Sequence, residues 1–239
     1  MTIISIKELS KNYKTKVALN NVSLDISKGE LFGLLGVNGA GKTTLIKILC
    51  GLTKKTSGTV FINNLNLDEN IDKIKEIVDV SPQETSIANN LTVKENLYFF
   101  AGIYEKENSD VIAEVIKVFK LTDVLNQRAK TLSGGYKRRL SIAVALISEP
   151  EILFLDEPTL GLDVLARREL WQIINKLKNK ITIILTSHYL EEIEHLCDRV
   201  AILSEGKLLE VGTIEGLKQK ANAKTFEDAF VSFVEKSNE

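Results

Sequence analysis

The stretch Gly36-Val37-Asn38-Gly39-Ala40-Gly41-Lys42-Thr43 fits G-x-x-x-x-G-K-[ST], a spacing whose chemistry is the holding of phosphate. The glycines let backbone N–H groups turn inward, and the helix expected to start there adds about half a positive charge. Lys42 is placed to reach terminal phosphates, and the Thr43 hydroxyl, with Thr44 beside it, to ligate Mg²⁺. A magnesium site also needs a carboxylate. The apolar run Ile152-Leu153-Phe154-Leu155 ends in Asp156-Glu157-Pro158, and ligands gather beyond the carboxyl ends of parallel strands. Asp156 is therefore expected to hold the metal, through water, and Glu157 to polarise an attacking water.

A second anion-binding constellation follows the same logic elsewhere in the chain. In Leu132-Ser133-Gly134-Gly135-Tyr136 the serine can cap a following helix, and two glycines leave its first amides bare. One nucleotide needs only one cradle. The next residues, Lys137, Arg138 and Arg139, sit at the wrong end of a helix for its dipole. They read as a solvated basic face, or else favour an anionic neighbour.

Several elements must position these groups. Ile3, Ile4 and Ile6, then Val22, Leu24 and Ile26 in alternation with polar partners, predict strands of a sheet with one solvated face. The run from Leu31 to Leu35 predicts a buried strand leading through the glycine loop into a helix. Between residues 84 and 149 the pattern turns helical: Thr92-Val93-Lys94-Glu95 has capping-box form, with Leu97, Phe100, Ala101 and Tyr104 at helical spacing. Ser109 is expected to cap another helix through Val111, Val115 and Val118. After Pro150 strands and helices alternate again, with Ala166, Leu170, Ile173 and Leu177 striping a helix and Ile181 to Thr186 forming a buried strand. A hairpin is expected around Glu205-Gly206. This predicts an α/β fold of the P-loop NTPase type, with a mostly parallel core sheet, an antiparallel N-terminal β-subdomain and an inserted α-helical subdomain. The expected division of this single domain is a core of 1–83 and 150–215, a helical insertion of 84–149 and a tail of 216–239.

Composition narrows the possible functions. The chain has 239 residues, 44% hydrophobic and 26% charged, with a net charge of -1. That balance argues against a dedicated nucleic-acid or anionic-membrane surface. No apolar run approaches the roughly 20 residues that span a bilayer, and no signal pattern opens the chain, so a cytoplasmic location without bilayer insertion is expected. Cys50 and Cys197 lack metal-ligand spacing and are expected to be buried apolar residues.

Taken together, the motifs resemble those of the ATP-binding-cassette (ABC) ATPases, and the resemblance covers nearly the whole chain. In that family a Ser-Gly-Gly signature loop from one protomer closes over the γ-phosphate held by the other. The resemblance implies that Tyr13 stacks on adenine and that Gln83, after Ser81-Pro82, links Mg²⁺ and the water to the helical subdomain. It further implies that Asp163, in Gly161-Leu162-Asp163, lies in the loop crossing the dimer interface, and that His188 contacts the γ-phosphate. His195 is expected to be an ordinary surface or packing residue. The implied ligands are ATP and Mg²⁺. The implied partners are a second copy or a paralogous ABC subunit and a separately encoded integral membrane permease, which would hold the chain against the inner face of the membrane. Two features depart from the family pattern: Tyr136 stands where Gln is commonest, and Leu160-Gly161 replaces Ser-Ala. The tail from Thr225 to Phe233 is similar to that of exporter-type cassettes, although its apolar stripe also suits core packing. Relatives in chromosome maintenance, DNA repair and ribosome-associated work usually carry coiled-coil insertions, zinc-binding cysteines or a second cassette, none of which appears here. A non-hydrolysing regulator fits poorly with an intact Glu157 and His188.

Overall fold

The computed structural model describes residues 1–105 and 109–237. Branched residues alternating with polar ones form β1 (Thr2–Tyr13) and β2 (Lys16–Ser27), an antiparallel pair. In β2 the side chains of Val22, Leu24 and Ile26 are buried while Ser23, Asp25 and Ser27 face water. The chain continues through β3 (Leu31–Leu35), α1 (Lys42–Leu49), β4 (Ser57–Ile62), β5 (Leu65–Asn66), α2 (Ile71–Lys75) and β6 (Val78–Ser81). Among the described residues three α-helices follow: α3 (Val93–Ile103), α4 (Ser109–Val118) and α5 (Gly134–Ile147), with two short 3₁₀ turns, Thr122–Val124 and Ala129–Thr131, between the last two. After them come β7 (Ile152–Asp156), α6 (Val164–Leu177), β8 (Thr182–Ser187), α7 (Leu190–Leu196), β9 (Arg199–Ser204) and β10 (Lys207–Gly212). The helices α8 (Ile214–Ala221) and α9 (Phe226–Lys236) complete the elements.

Among the described residues the strands form two sheets, ordered β2-β1-β4-β5 and β10-β9-β3-β8-β7-β6. The first is antiparallel throughout. In the second, β9, β3, β8, β7 and β6 run parallel, and only β10 is antiparallel to its neighbour. Side chains of a strand alternate between faces, and here each face meets its own core. Leu31, Leu35, Leu153, Leu155, Ile183, Leu185, Val200 and Ile202 join one hydrophobic cluster with α3 to α7 and the C-terminal helices. Their neighbours Phe32, Leu34, Ile152, Phe154, Ile184, Ala201 and Leu203 join a second, with α1 and the antiparallel sheet. Cover on both faces is why these strands are uninterrupted apolar runs.

The helix α3 begins where its capping sequence predicts. Thr92 accepts from Glu95 N, and Glu95 accepts from Thr92 N at 2.7 Å, the reciprocal capping box. The expected cap by Ser109 falls on a side chain outside those described. In the tail, Phe226, Ala229 and Phe233 are buried in the first cluster, so the apolar stripe of α9 is core packing. The cysteines divide: Cys50 is buried, but Cys197 is only half-buried, against expectation. It occupies the C-cap of α7 and packs against the first cluster, with its sulfur directed at Gly33.

Candidate active site

Parallel register brings the site together. Leu35 of β3 pairs with Ser187 of β8, Asp156 of β7 with Thr186, and Ser81 of β6 with Leu155. The residues just past these ends, Gly36, His188, Glu157 and Gln83, therefore emerge on one edge of the sheet. Between β3 and α1 the loop requires glycine at two positions in different ways. Gly36 is so close to the hairpin between β9 and β10 that a Cβ would lie 2.4 Å from Leu203 O, and Gly41 has φ +105, where a Cβ would lie 2.7 Å from Ala18 O. Gly41 is also the N-cap of α1, and it offers no side-chain acceptor to the first amides. The helices α3, α5, α6, α8 and α9 are each capped by a side chain. The free amides of α1 and its positive dipole end thus open onto the cleft.

The charged groups form a dense network. Lys42, 6% exposed, donates to Gly36 O at 2.6 Å and lies 3.4 Å from Glu157 Oε1. The Thr43 hydroxyl is 3.1 Å from Asp156 Oδ2. Thr186 is fully buried; its hydroxyl donates to Asp156 Oδ1 at 2.6 Å and accepts from Glu157 N at 2.9 Å. Glu157 itself takes the left-handed region, φ +49, uncommon for a side-chain-bearing residue and a form of strain found at functional sites. His188 Nδ1 is 2.8 Å from Glu157 Oε2. Tyr13, Asn38, Gly39, Ala40, Gly41, Lys42, Thr43, Thr44, Gln83, Glu157 and His188 all line one cleft of about 380 Å³. Gly36 and Val37 supply carbonyls to Lys42 behind it.

Ser133, Gly134, Gly135 and Asp163 are gathered at a different place. Ser133 caps α5, accepting from Tyr136 N, and Asp163 caps α6, accepting from Leu165 and Ala166 N at 2.9 Å. A Cβ on Gly135 would lie 3.1 Å from Ala166, so the serine loop is seated against the start of α6. Ser133, Gly135 and Asp163 line a separate cleft that shares no lining residue with the first. The departures in this region have physical counterparts. Gly161 takes φ +75 with open space around it, and the Tyr136 ring lies 5.0 Å beneath the Arg139 guanidinium.

The solvated reading of the basic triplet is corrected. Arg138 and Arg139 are 4% and 6% exposed, and only Lys137 retains partial exposure. Arg139 pairs with Glu169. The run from Leu140 to Leu146, apolar except for Ser141, is the signal in the sequence, since it marks a helix without a wet face. Thr186 gave no such signal, because a threonine at the end of a buried strand is also ordinary β-propensity. Another buried pair went unread: Trp171 Nε1 donates to Glu192 Oε1 at 3.0 Å, and His195 stacks on the same indole.

A buried strand, a glycine loop, an uncapped helix start and a lysine folded over it define a P-loop fold. Residues 19–160 match the family described as ABC transporter. The chain is 39% identical over 242 residues to the Probable multidrug ABC transporter ATP-binding protein YbhF of Escherichia coli (strain K12), covering 98% of this chain and 42% of that one. It is 38% identical over 227 residues to the human Phospholipid-transporting ATPase ABCA3, covering 92% of this chain and 13% of that one. It thus spans less than half the length of these relatives. Among solved structures, an ATP-binding subunit of an ABC transporter superposes with a TM-score of 0.86 at 28% identity, over 97% of this chain and 99% of the other. The dimeric, post-hydrolysis cassette MJ0796 bound to ADP and Pi superposes with 0.78 at 26% identity, over 88% and 98%. This chain belongs to the ABC transporter family.

Proposed function

We propose that this chain binds and hydrolyses ATP as the motor subunit of an ABC transporter. It pairs with a second copy or a paralogous subunit around two nucleotides and drives an integral membrane permease in the export direction. One observation carries the reading: the cleft holding Lys42 and Glu157 and the cleft holding Ser133 and Asp163 are separate in a single chain, so each is half of a site.

The residues fit the ligands. Uncapped amides on α1 and the Lys42 ammonium suit phosphate oxygens, and the exposed Tyr13 ring at the mouth suits adenine. The described residues hold no cluster of three or more His, Cys, Asp or Glu able to cage a metal. A single carboxylate, Asp156, with the Thr43 hydroxyl and the Gln83 amide, is instead the sparse oxygen set that suits Mg²⁺ shared with phosphate and water. When bound there, Mg²⁺ would neutralise charge developing on the phosphates. Lys42 exchanges Gly36 O for the terminal phosphates. Glu157 accepts the proton of the attacking water, a role contributing ~10²–10⁴-fold in rate. His188 steadies the Glu157 carboxylate and reaches toward the γ-phosphate. Ser133, Gly134 and Gly135 of the opposite copy supply the amides that close the site, with Asp163 at the crossing. The near-neutral charge supports a protein partner over nucleic acid. No helix among the described residues is long and apolar enough to cross a membrane; in this reading the permease holds the chain at the cytoplasmic face. We read 1–83 and 150–215 as the nucleotide-holding core, 84–149 as the helical insertion that passes motion to the permease, and 216–239 as a helical tail.

The test is Glu157→Gln. Phosphate release should fall by the ~10²–10⁴-fold of a lost general base, with ATP still bound and the protein trapped as a dimer on size exclusion. Normal turnover by that variant, or wild-type hydrolysis strictly first-order in protein with no ATP-driven pairing, overturns the proposal.

A further inference from the structure

Arg138 makes no ion pair with a side chain among the described residues, yet its guanidinium is buried. Every hydrogen bond it makes goes to a backbone carbonyl. Nε donates to Pro158 O at 2.8 Å and Nη2 to Asp156 O at 2.6 Å, so the fork grips the chain on both sides of Glu157. Nη1 donates to Pro82 O and, at 3.3 Å, to Gln83 O. With Thr186 holding Glu157 N, the strained backbone at Glu157 is fixed at three points. The side chain doing this belongs to α5, whose N-cap is Ser133.

We propose that Arg138 is the positioning residue that sets Glu157 and the Gln83 loop in one fixed relation to the helix carrying Ser133. A displacement of Gln83 then moves the serine loop about five residues up the helix, roughly 7.5 Å away at 1.5 Å per residue. This deepens the ATPase reading above and rests on it. The physical grounds are donor geometry and burial. A planar fork with five N–H groups can serve three or four carbonyls from one side, while an ammonium has three donors and no plane. Burial pulls the Arg138 pKa down to about 10, and the nearby charges of Asp156, Glu192 and Glu157 pull it partly back. The cation therefore persists at neutral pH and costs enough to desolvate that a purely packing role would be better filled by an apolar side chain.

The experiment compares wild type, Arg138→Met and Arg138→Lys in the full chain. Steady-state phosphate release gives kcat and KM, and titration of a fluorescent ATP analogue gives affinity independently. Arg138→Met should keep analogue affinity and KM near wild type and lose about 10²-fold in kcat, the scale of a catalytic group displaced by about 1 Å. Arg138→Lys should recover part of that loss. A folded Arg138→Met variant with wild-type kcat overturns the inference, as does parallel loss of affinity, kcat and melting temperature, which marks a structural role only. If Arg138→Met does not fold, Arg138→Lys decides alone: reduced kcat at unchanged affinity supports positioning, and wild-type kcat refutes it. Absence of hydrolysis by the wild-type protein overturns the ATPase reading itself and is seen before any variant is compared.

Discussion

Thr186→Val replaces a hydroxyl by a methyl of nearly the same shape at a fully buried position between Asp156 and Glu157. Two hydrogen bonds disappear. The one to the Asp156 carboxylate, at 2.6 Å, is a bond to a charged group, worth about 1.5–3 kcal/mol. The one from Glu157 N leaves a buried donor without a partner, at about 1–3 kcal/mol. The extra methyl returns at most about 0.8 kcal/mol. A net loss of about 3 kcal/mol follows, which for a chain of this size lowers Tm by about 6–12 °C. The useful control is Thr182→Val, also on β8 and buried, whose hydroxyl only accepts from Gly29 N at 3.0 Å. It lacks the charged bond and lies far from the cleft, so it should cost about 1–2 kcal/mol and leave phosphate release unchanged. Thr186→Val should in addition slow hydrolysis, because the left-handed backbone at Glu157 loses its peg. Urea melts and phosphate-release rates measure both. Equal melts for the two variants, or a Thr186→Val loss below about 1 kcal/mol, would refute the idea that Thr186 carries the carboxylate pair.

Two further outcomes are expected. Burial raises the Glu192 pKa, partly offset by the Trp171 donor; between the ordinary carboxylate range and that raised value the folded chain holds a proton that the unfolded chain has released. Stability from this group is full below the ordinary carboxylate range and is lost as pH rises through the raised folded value. Glu192→Gln keeps a partner for Trp171 and should flatten that slope, gaining on wild type from pH 5 to pH 8 in urea midpoints; parallel curves count against it. Gly41→Ala meets both the left-handed φ and the Ala18 carbonyl, whereas Gly39→Ala meets a left-handed φ in open space. Gly39→Ala should cost about 1–2 kcal/mol, and Gly41→Ala should cost more and weaken nucleotide binding; equal effects in titration would show that the close approach is unimportant.

Local sequence determined most elements because local physics sufficed. The Thr92 and Glu95 capping box, the alternation in β2, the buried runs at Leu31–Leu35 and Ile152–Asp156, and the glycine loop before Lys42 each carry their structure within a few residues. The glycine loop, Lys42, Thr43, Asp156 and Glu157 were legible for the same reason, since they sit at strand ends that a parallel sheet must align, whereas Tyr13, Gln83 and the role of His188 were expected only from the family resemblance. Tertiary structure alone decided what depends on partners distant in sequence. Arg138 reads as surface by composition and becomes buried because carbonyls of Pro82, Asp156 and Pro158 converge on it. Thr186 acquires its role from a register 30 residues from Asp156. The separation of Ser133 from Lys42 is likewise decided by the packing of α5 against α6. A short-range pattern specifies how a segment folds, but a hydrogen bond across the sheet has no sequence signature until the strands are paired.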